Sequence, residues 1–128
     1  MPHTITWEPE GVRWTYSGCV TDQEAIQSNL DIYDDERFES IRYQLVDMLQ
    51  VETFDVSGAT IREISHMDRE QRPRNPNIKV AFVTTKQVIY GMGRMYEMAG
   101  GMEAWETKVF ETLGEAREWL GAPVPTSG

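Results

Sequence analysis

The sequence predicts an α/β domain in the order β-β-α-β-α-β-α-β-α, with a mixed, mostly parallel five-stranded sheet flanked by helices. Three observations carry this expectation. Strand-like apolar runs alternate with helical-period runs along the chain, the arrangement that right-handed crossovers turn into a parallel sheet. The run Val80-Ala-Phe-Val83 is apolar at four consecutive positions, as a strand covered on both faces must be. Thr21-Asp-Gln-Glu24 and Thr112-Leu-Gly-Glu115 both have capping-box spacing, in which each side chain accepts from the other residue's otherwise unpaired N–H at a helix start.

The first two strands lie within Thr4–Gly18, where Val12, Trp14 and Tyr16 alternate with Arg13, Thr15 and Ser17 after Pro9-Glu10-Gly11. Period-two alternation marks a half-buried strand, so this stretch reads as a hairpin forming an antiparallel edge. The first capping box opens a helix with Ile26, Asn29, Leu30 and Tyr33 on one side. Asp34–Ser40 breaks the pattern, and Ile41–Leu49 follows as an apolar run of strand length. Ser57-Gly58 then starts a second helix with Ile61, Ile64 and Met67 at helical spacing. It ends at Arg72-Pro-Arg-Asn-Pro-Asn77, because each proline disfavours helix in the residue before it. Ile78–Thr84 is the most strongly apolar run and reads as a central strand. Lys86–Ala99 sets Val88, Ile89, Met92, Met95, Tyr96 and Ala99 on a helical stripe. Trp105–Phe110 is the last strand, and the second capping box opens a short helix that buries Leu113, Ala116, Trp119 and Leu120. Residues 1–121 read as one domain and 122–128 as a loose tail.

A chain of 128 residues buries roughly two-thirds of its unfolded surface around a single core, so no second domain is expected. Apolar residues make up 40% and charged residues 26%, and no apolar run is long enough to span a bilayer, so the composition is that of a soluble globular protein. The opening residues have neither the basic start nor the apolar stretch of a secretory signal, which makes the cytoplasm the expected location. A formal charge of −9 repels phosphate backbones and anionic membrane surfaces, so nucleic acid is not an expected partner. Arg69, Arg72 and Arg74 read as cations complementing the negative end of a helix dipole. Cys19 is the only cysteine, no Cys/His spacing resembles a zinc site, and neither a metal nor a cofactor is expected.

The stretch Leu45–Ile61 resembles the corresponding segment of STAS domains, the fold of bacterial anti-sigma-factor antagonists and sulfate-transporter tails. Val46-Asp47-Met48 matches the apolar-Asp-apolar strand end, and Asp55-Val56-Ser57-Gly58 matches the Asp-Ser-Ser-Gly motif that opens a helix. Val56 stands at the first serine of that motif, and Ser57 at the second, which the antagonists use for phosphorylation. Over nearly its full length the chain is similar to the SpoIIAA-like (STAS/SEC14-related) group of small bacterial proteins. The segments carrying this likeness include "ITWEPEGV", "DERFESIRYQLVDM", "NPNIKVAFV", "YGMGRMYEM" and "VFETLGEAREWL". The resemblance implies a small sheet flanked by helices and a binding or regulatory role, with no defined activity.

Two surfaces stand out as candidate sites. At the first, Ser57, with Asp47, Asp55 and Gly58 around it, is a candidate phosphorylation switch as well as a helix cap. A phosphoryl group would add about −1.5 to −2 charge beside a positive helix end. The cap alone contributes about 1 kcal/mol and requires no function. A Ser57–His66 dyad is excluded by about 13 Å of intervening helix. His3 would have to be carried there by the hairpin. Asp47 and Asp55 read as a polar strand end and a turn residue before they read as a carboxylate pair or cation site. Without a placed nucleophile and base, no enzyme is expected.

The second surface is "YGMGRMYEMAGGM", with methionines at 92, 95, 98 and 102 and glycines at 91, 93, 100 and 101. Its glycines interrupt a helix, so they are no phosphate loop; they call for close packing or a ligand's approach. Met92, Met95 and Tyr96 suit a core, whereas Tyr90, Arg94 and Met98 lie on another side and suit a binding face. Trp7, Trp14, Trp105 and Trp119 read as core or edge packing, and an exposed hairpin Trp would favour a homodimer across the sheet edge. Cys19 reads as a small buried hydrophobe.

Taken together, these residues point to a non-enzymatic, STAS-like regulatory module that binds a protein through the Ser57 turn and the Tyr90–Met98 helix. The alternative is a carrier or sensor of a small apolar or amphipathic, lipid-like ligand, with Met92, Met95 and Met98 lining its site. An apolar cavity between the sheet and the third helix would favour the ligand; a filled core with an exposed Met/Tyr/Arg face would favour the protein partner.

Overall fold

The computed structural model describes residues 3–100 and 105–122. Its strands are β1 (His3–Trp7), β2 (Gly11–Thr21), β3 (Tyr43–Asp55), β4 (Lys79–Val83) and β5 (Glu106–Phe110). Its helices are α1 (Asp22–Tyr33), α2 (Gly58–Gln71), α3 (Gln87–Gly100) and α4 (Leu113–Leu120), with short 3-10 turns at Glu36–Glu39 and Arg72–Arg74. The element order is the predicted one. The strands lie in the sheet in chain order; β1 and β2 are antiparallel, and every later pairing is parallel.

Two cores sandwich the sheet. On one face Val12, Trp14 and Tyr16 of β2, Val46 and Met48 of β3 and Val80 of β4 meet Ile32, Ile61, Ile64, Ile89 and Tyr96 from α1, α2 and α3. On the other, Tyr43 and Leu45 of β3 and Ala81 and Val83 of β4 meet Ala116 of α4 and Ala122. The strict alternation of β3 and β4 between these sets is why β4 reads as a continuous apolar run and β3 as an apolar run interrupted by Gln44 and Asp47.

Several expectations shift. In α1 the buried residues are Ala25, Ser28, Ile32 and Tyr33, while Leu30 faces solvent. The helix is rotated because Trp14 Nε1 donates to the Ser28 carbonyl at 3.0 Å and the Tyr16 hydroxyl bonds Ser28 Oγ, pulling a small polar residue inward. At the first capping box only the Thr21 half forms: Thr21 Oγ1 accepts from Glu24 N, while the Glu24 carboxylate is taken by the His3 ring. Cys19 is exposed, not buried. The β2–β3 register shifts between Thr15 and Ser17 and again at Gly18/Cys19, and Gly18 adopts φ 65°. This glycine turns the strand so that Val20, not Cys19, enters the core. The 3-10 turn at Glu36–Glu39 arises inside the stretch that breaks the sequence pattern, and it buries Phe38 completely. Trp14 and Trp105 are core residues, whereas Trp7 and Trp119 are half-buried under Arg37 and Lys79. The predicted tail falls mostly outside the described residues, as do Gly101 and Met102.

The α3 glycines differ from one another. A Cβ on Gly93 would lie 2.8 Å from Val109 Cγ2, so Gly93 permits close approach of helix and sheet; a Cβ on Gly91 would meet nothing. Gly91→Ala is therefore expected to stabilise by up to about 1 kcal/mol. Gly93→Ala is expected to destabilise, because the overpacking cost of about 1–3 kcal/mol exceeds the helix-propensity gain. Paired urea denaturation curves check both signs.

Candidate binding cavity beneath the third helix

The residues that form the site are polar members of otherwise apolar rows. Gln44 pairs with Val12 and Val80 in adjacent strands, and its row faces α1, α2 and α3. It is 2% exposed, and its Nε2 has no hydrogen-bond partner among the described residues. Asp68 continues the buried stripe of α2 after Ile61, Ile64 and Ser65, and is 4% exposed. Its two carboxylate oxygens accept from the hydroxyls of Tyr33 on α1 and Tyr96 on α3, so one acid ties three helices together. Burial pushes its pKa up to about 6 even though both hydroxyl bonds favour the carboxylate. Burial also raises both tyrosines, further helped by the Asp68 charge.

Between these groups lies a partly open cavity of about 60 Å³, reaching from Trp14 and Val46 on the sheet to Ile64, Ile89 and Met92 on the helices. Gln44, Asp68, Asn29 and the Tyr16 and Tyr96 rings also line it, and among the described residues its lining contains no lysine, arginine or histidine. A volume of this size accepts several waters or the end of a small apolar molecule; a cavity of about 150 Å³ accommodates benzene. Gly93 forms part of the wall, so the same missing side chain that lets α3 approach β5 leaves room beneath the helix.

The predicted α3 residues separate. Met92 lines the cavity. Met95 does not: its sulfur packs against Gly58 and the Arg62 guanidinium, joining α3 to the turn before α2. Tyr90, Arg94 and Met98 are exposed, and Met98 is 74% accessible. The cavity therefore draws on one of the three predicted methionines, and its polar groups come from β3 and α2.

Ser57 is the exposed N-cap of α2. Its Oγ accepts from Thr60 N at 3.2 Å, and its own N–H donates to Asp22 Oδ1 at 2.8 Å. Gly58 follows it, whereas Asp55 ends β3 with its side chain exposed. Asp47 is not part of this cluster: it is buried, pairs with Arg13 at 2.8 Å and accepts from Leu49 N. Seven residues of extended strand separate it from Asp55, so the two carboxylates do not meet. Asp22 brings negative charge to the place a phosphoryl group would occupy. His66 pairs with Glu70 and Arg69 on the outside of α2, and His3 pairs with Glu24 and Asp31; neither reaches Ser57. Ser57→Ala is expected to lose about 1 kcal/mol in a urea titration, and Ser57→Asn to lose little. Ser57→Asp is expected to fall between them and to recover in salt, because its carboxylate would lie beside Asp22.

A larger, more open depression beside α4, of about 640 Å³, is lined by residues that include Arg13, Leu113, Arg117 and Ala122. Arg117 is engaged by Glu8, and Arg13 bonds Asp47 through Nη2 while its buried Nε has no partner among the described residues. Among the described residues there is no cluster of three or more His, Cys, Asp or Glu able to hold a metal ion, and no helix long and apolar enough to cross a membrane.

Gln44 and Asp68 escape a reading of the sequence for apolar patterns, although both left a signal. A polar residue inside a strand buried on both faces has to point into one of the two cores. The α2 stripe of Ile61 and Ile64 continues at the next turn to Asp68 as well as to Met67.

No protein-family model matches this chain, and no curated protein matches it. Among solved structures, the chain is similar to an uncharacterized protein of the DUF3478 family from Shewanella loihica PV-4, described as having a SpoIIAA-like fold. The likeness covers 92% of this chain and 91% of that one, with a TM-score of 0.59 and 15% sequence identity. A mixed five-stranded sheet in chain order, three helices on one face and one on the other are thus the features of a SpoIIAA-like fold, and this chain has that fold.

Proposed function

We propose that this domain works by binding a small amphipathic molecule between the sheet and α3, as a carrier or sensor without chemistry of its own. The cavity carries this reading: it is apolar over most of its wall, yet holds a buried amide whose Nε2 has no partner among the described residues. Natural cores rarely leave a buried donor without a partner, and a ligand oxygen would supply one.

The test is the intact mass of the protein from its own cells under native and denaturing conditions. A species lost on denaturation is the expected result. A bare chain, combined with no shift of the Met92 methyl resonance under xenon pressure, would overturn the reading.

A second reading, contact with a partner protein, is favoured by the exposed Tyr90, Arg94 and Met98 on α3. Loss of a partner on Tyr90→Ala/Met98→Ala substitution, with the cavity still binding xenon, would support it.

A further inference from the structure

We propose that Gln44 is the polar anchor of the cavity, and that the site selects a small, uncharged, oxygen-bearing apolar molecule, a ketone, aldehyde or alcohol, over carboxylates and amines. This rests on the ligand-binding reading above and adds its chemical class.

Gln44 Nε2 is a buried donor with no partner among the described residues, so the complementary group must accept a hydrogen bond. A protonated amine has no acceptor, so whatever it gains from the Asp68 charge it leaves the Gln44 Nε2 donor unsatisfied. A carboxylate has acceptors, but its charge would enter a wall with no Lys, Arg or His among the described residues and would meet Asp68. Burying an unpaired anion beside a second carboxylate is strongly unfavourable. A neutral carbonyl or hydroxyl oxygen satisfies the amide without charge, and its hydrocarbon part matches Val46, Ile64, Val80, Ile89 and Met92. Asp68 is held at both oxygens by Tyr33 and Tyr96, which leaves Gln44 as the group in need of a partner.

The size of the cavity limits the buried part to a few heavy atoms, so the discriminating probes are small: 2-butanone, 1-butanol, butyrate and butylamine, with xenon as a purely apolar control. Binding is followed by methyl NMR of Met92 and Met48 at neutral pH in the wild type, Gln44→Met and Asp68→Asn. Gln44→Met keeps the length of the side chain and removes the unpaired donor, so it is expected to fold with unchanged or higher urea resistance. In the wild type, 2-butanone and 1-butanol are expected to bind at least about tenfold more tightly than butyrate or butylamine. In Gln44→Met the ketone is expected to weaken about tenfold while xenon binding persists. Asp68→Asn is expected to narrow the gap between ketone and butyrate. Equal ketone affinity in wild type and Gln44→Met, with xenon still bound, would overturn the anchor and leave the cavity reading standing. Butyrate binding as well as the ketone would overturn the charge selection. If neither xenon nor any organic probe binds, the cavity reading itself falls, and this inference with it.

Discussion

Arg117→Met is expected to destabilise the fold by about 3–5 kcal/mol, a large part of the roughly 5–15 kcal/mol available to a domain of this size. The Arg117 side chain is 6% exposed and the Glu8 side chain 4%. Two parallel bonds join them, Nη1 to Oε1 at 3.0 Å and Nη2 to Oε2 at 2.8 Å. Tyr43 donates to the same carboxylate, and Arg117 Nη1 also donates to the Ala122 carbonyl at 3.2 Å. The pair thereby locks the β1–β2 turn and β3 to α4, which are far apart in sequence. Removing the guanidinium leaves Glu8 buried without its cation, and that stranded charge is the main cost.

Glu8→Leu combined with Arg117→Met is expected to recover much of the loss, because neither charge is then desolvated. Guanidinium unfolding midpoints of the wild type, both single variants and the double variant measure the coupling. A loss below about 1 kcal/mol for Arg117→Met would mean that water reaches the pair and that it behaves as a surface bridge. Burial alone would raise the pKa of Glu8; the Arg117 and Tyr43 bonds and the guanidinium charge outweigh it and hold the pKa below its usual value. A depressed acid stabilises the fold above its unfolded pKa, so this contribution is lost as pH falls through the folded value.

Asp68 acts with the opposite sign. Its pKa rises from 3.8 to about 6 on folding, so between those values the folded protein holds a proton that the unfolded chain releases. The contribution is fully present below the unfolded pKa and is lost as pH rises through about 6. A shift of this size corresponds to about 3 kcal/mol. The groups facing Asp68 are Tyr33 from α1 and Tyr96 from α3; both remain protonated throughout this range, so the slope belongs to the acid.

Asp68→Asn is expected to flatten the fall in stability between mildly acidic and neutral pH while still bonding both tyrosines, since an amide can accept from one hydroxyl and donate to the other oxygen. Asp68→Leu should also remove the slope, at a cost of several kcal/mol, because two buried hydroxyls lose their partner. Urea midpoints measured across pH for the three proteins decide it. An unchanged slope in Asp68→Asn would mean that Asp68 is ionised throughout.

The pattern of this chain determined its elements because local rules suffice for them. Thr21, Ser57 and Thr112 cap helices in sequence and in space, the prolines after Arg72 end α2, and the double-sided burial is already visible in the unbroken apolar run of β4 and the mostly apolar start of β3. Local rules failed where a partner distant in the sequence decides. Ser28 turns α1 because Trp14 and Tyr16 bond it, Cys19 turns outward because of the Gly18 bulge, and Asp47 is drawn to Arg13 and away from the Ser57 turn.

The site followed the same division. Met92 and the gap left by Gly93 were legible as an unusual helix, but nothing near Gln44 or Asp68 in the chain announces that they share one cavity. Periodicity reports which residues turn inward, since burying apolar surface is a property of each residue and its face. It cannot report what an inward polar group will meet: hydrogen-bond and charge partners are pairwise, directional and set by crossovers of 28 residues or more, as the Tyr33–Asp68–Tyr96 and Glu8–Arg117 contacts are. The fold was therefore determined by the sequence pattern, and the chemistry of its interior only by the tertiary structure.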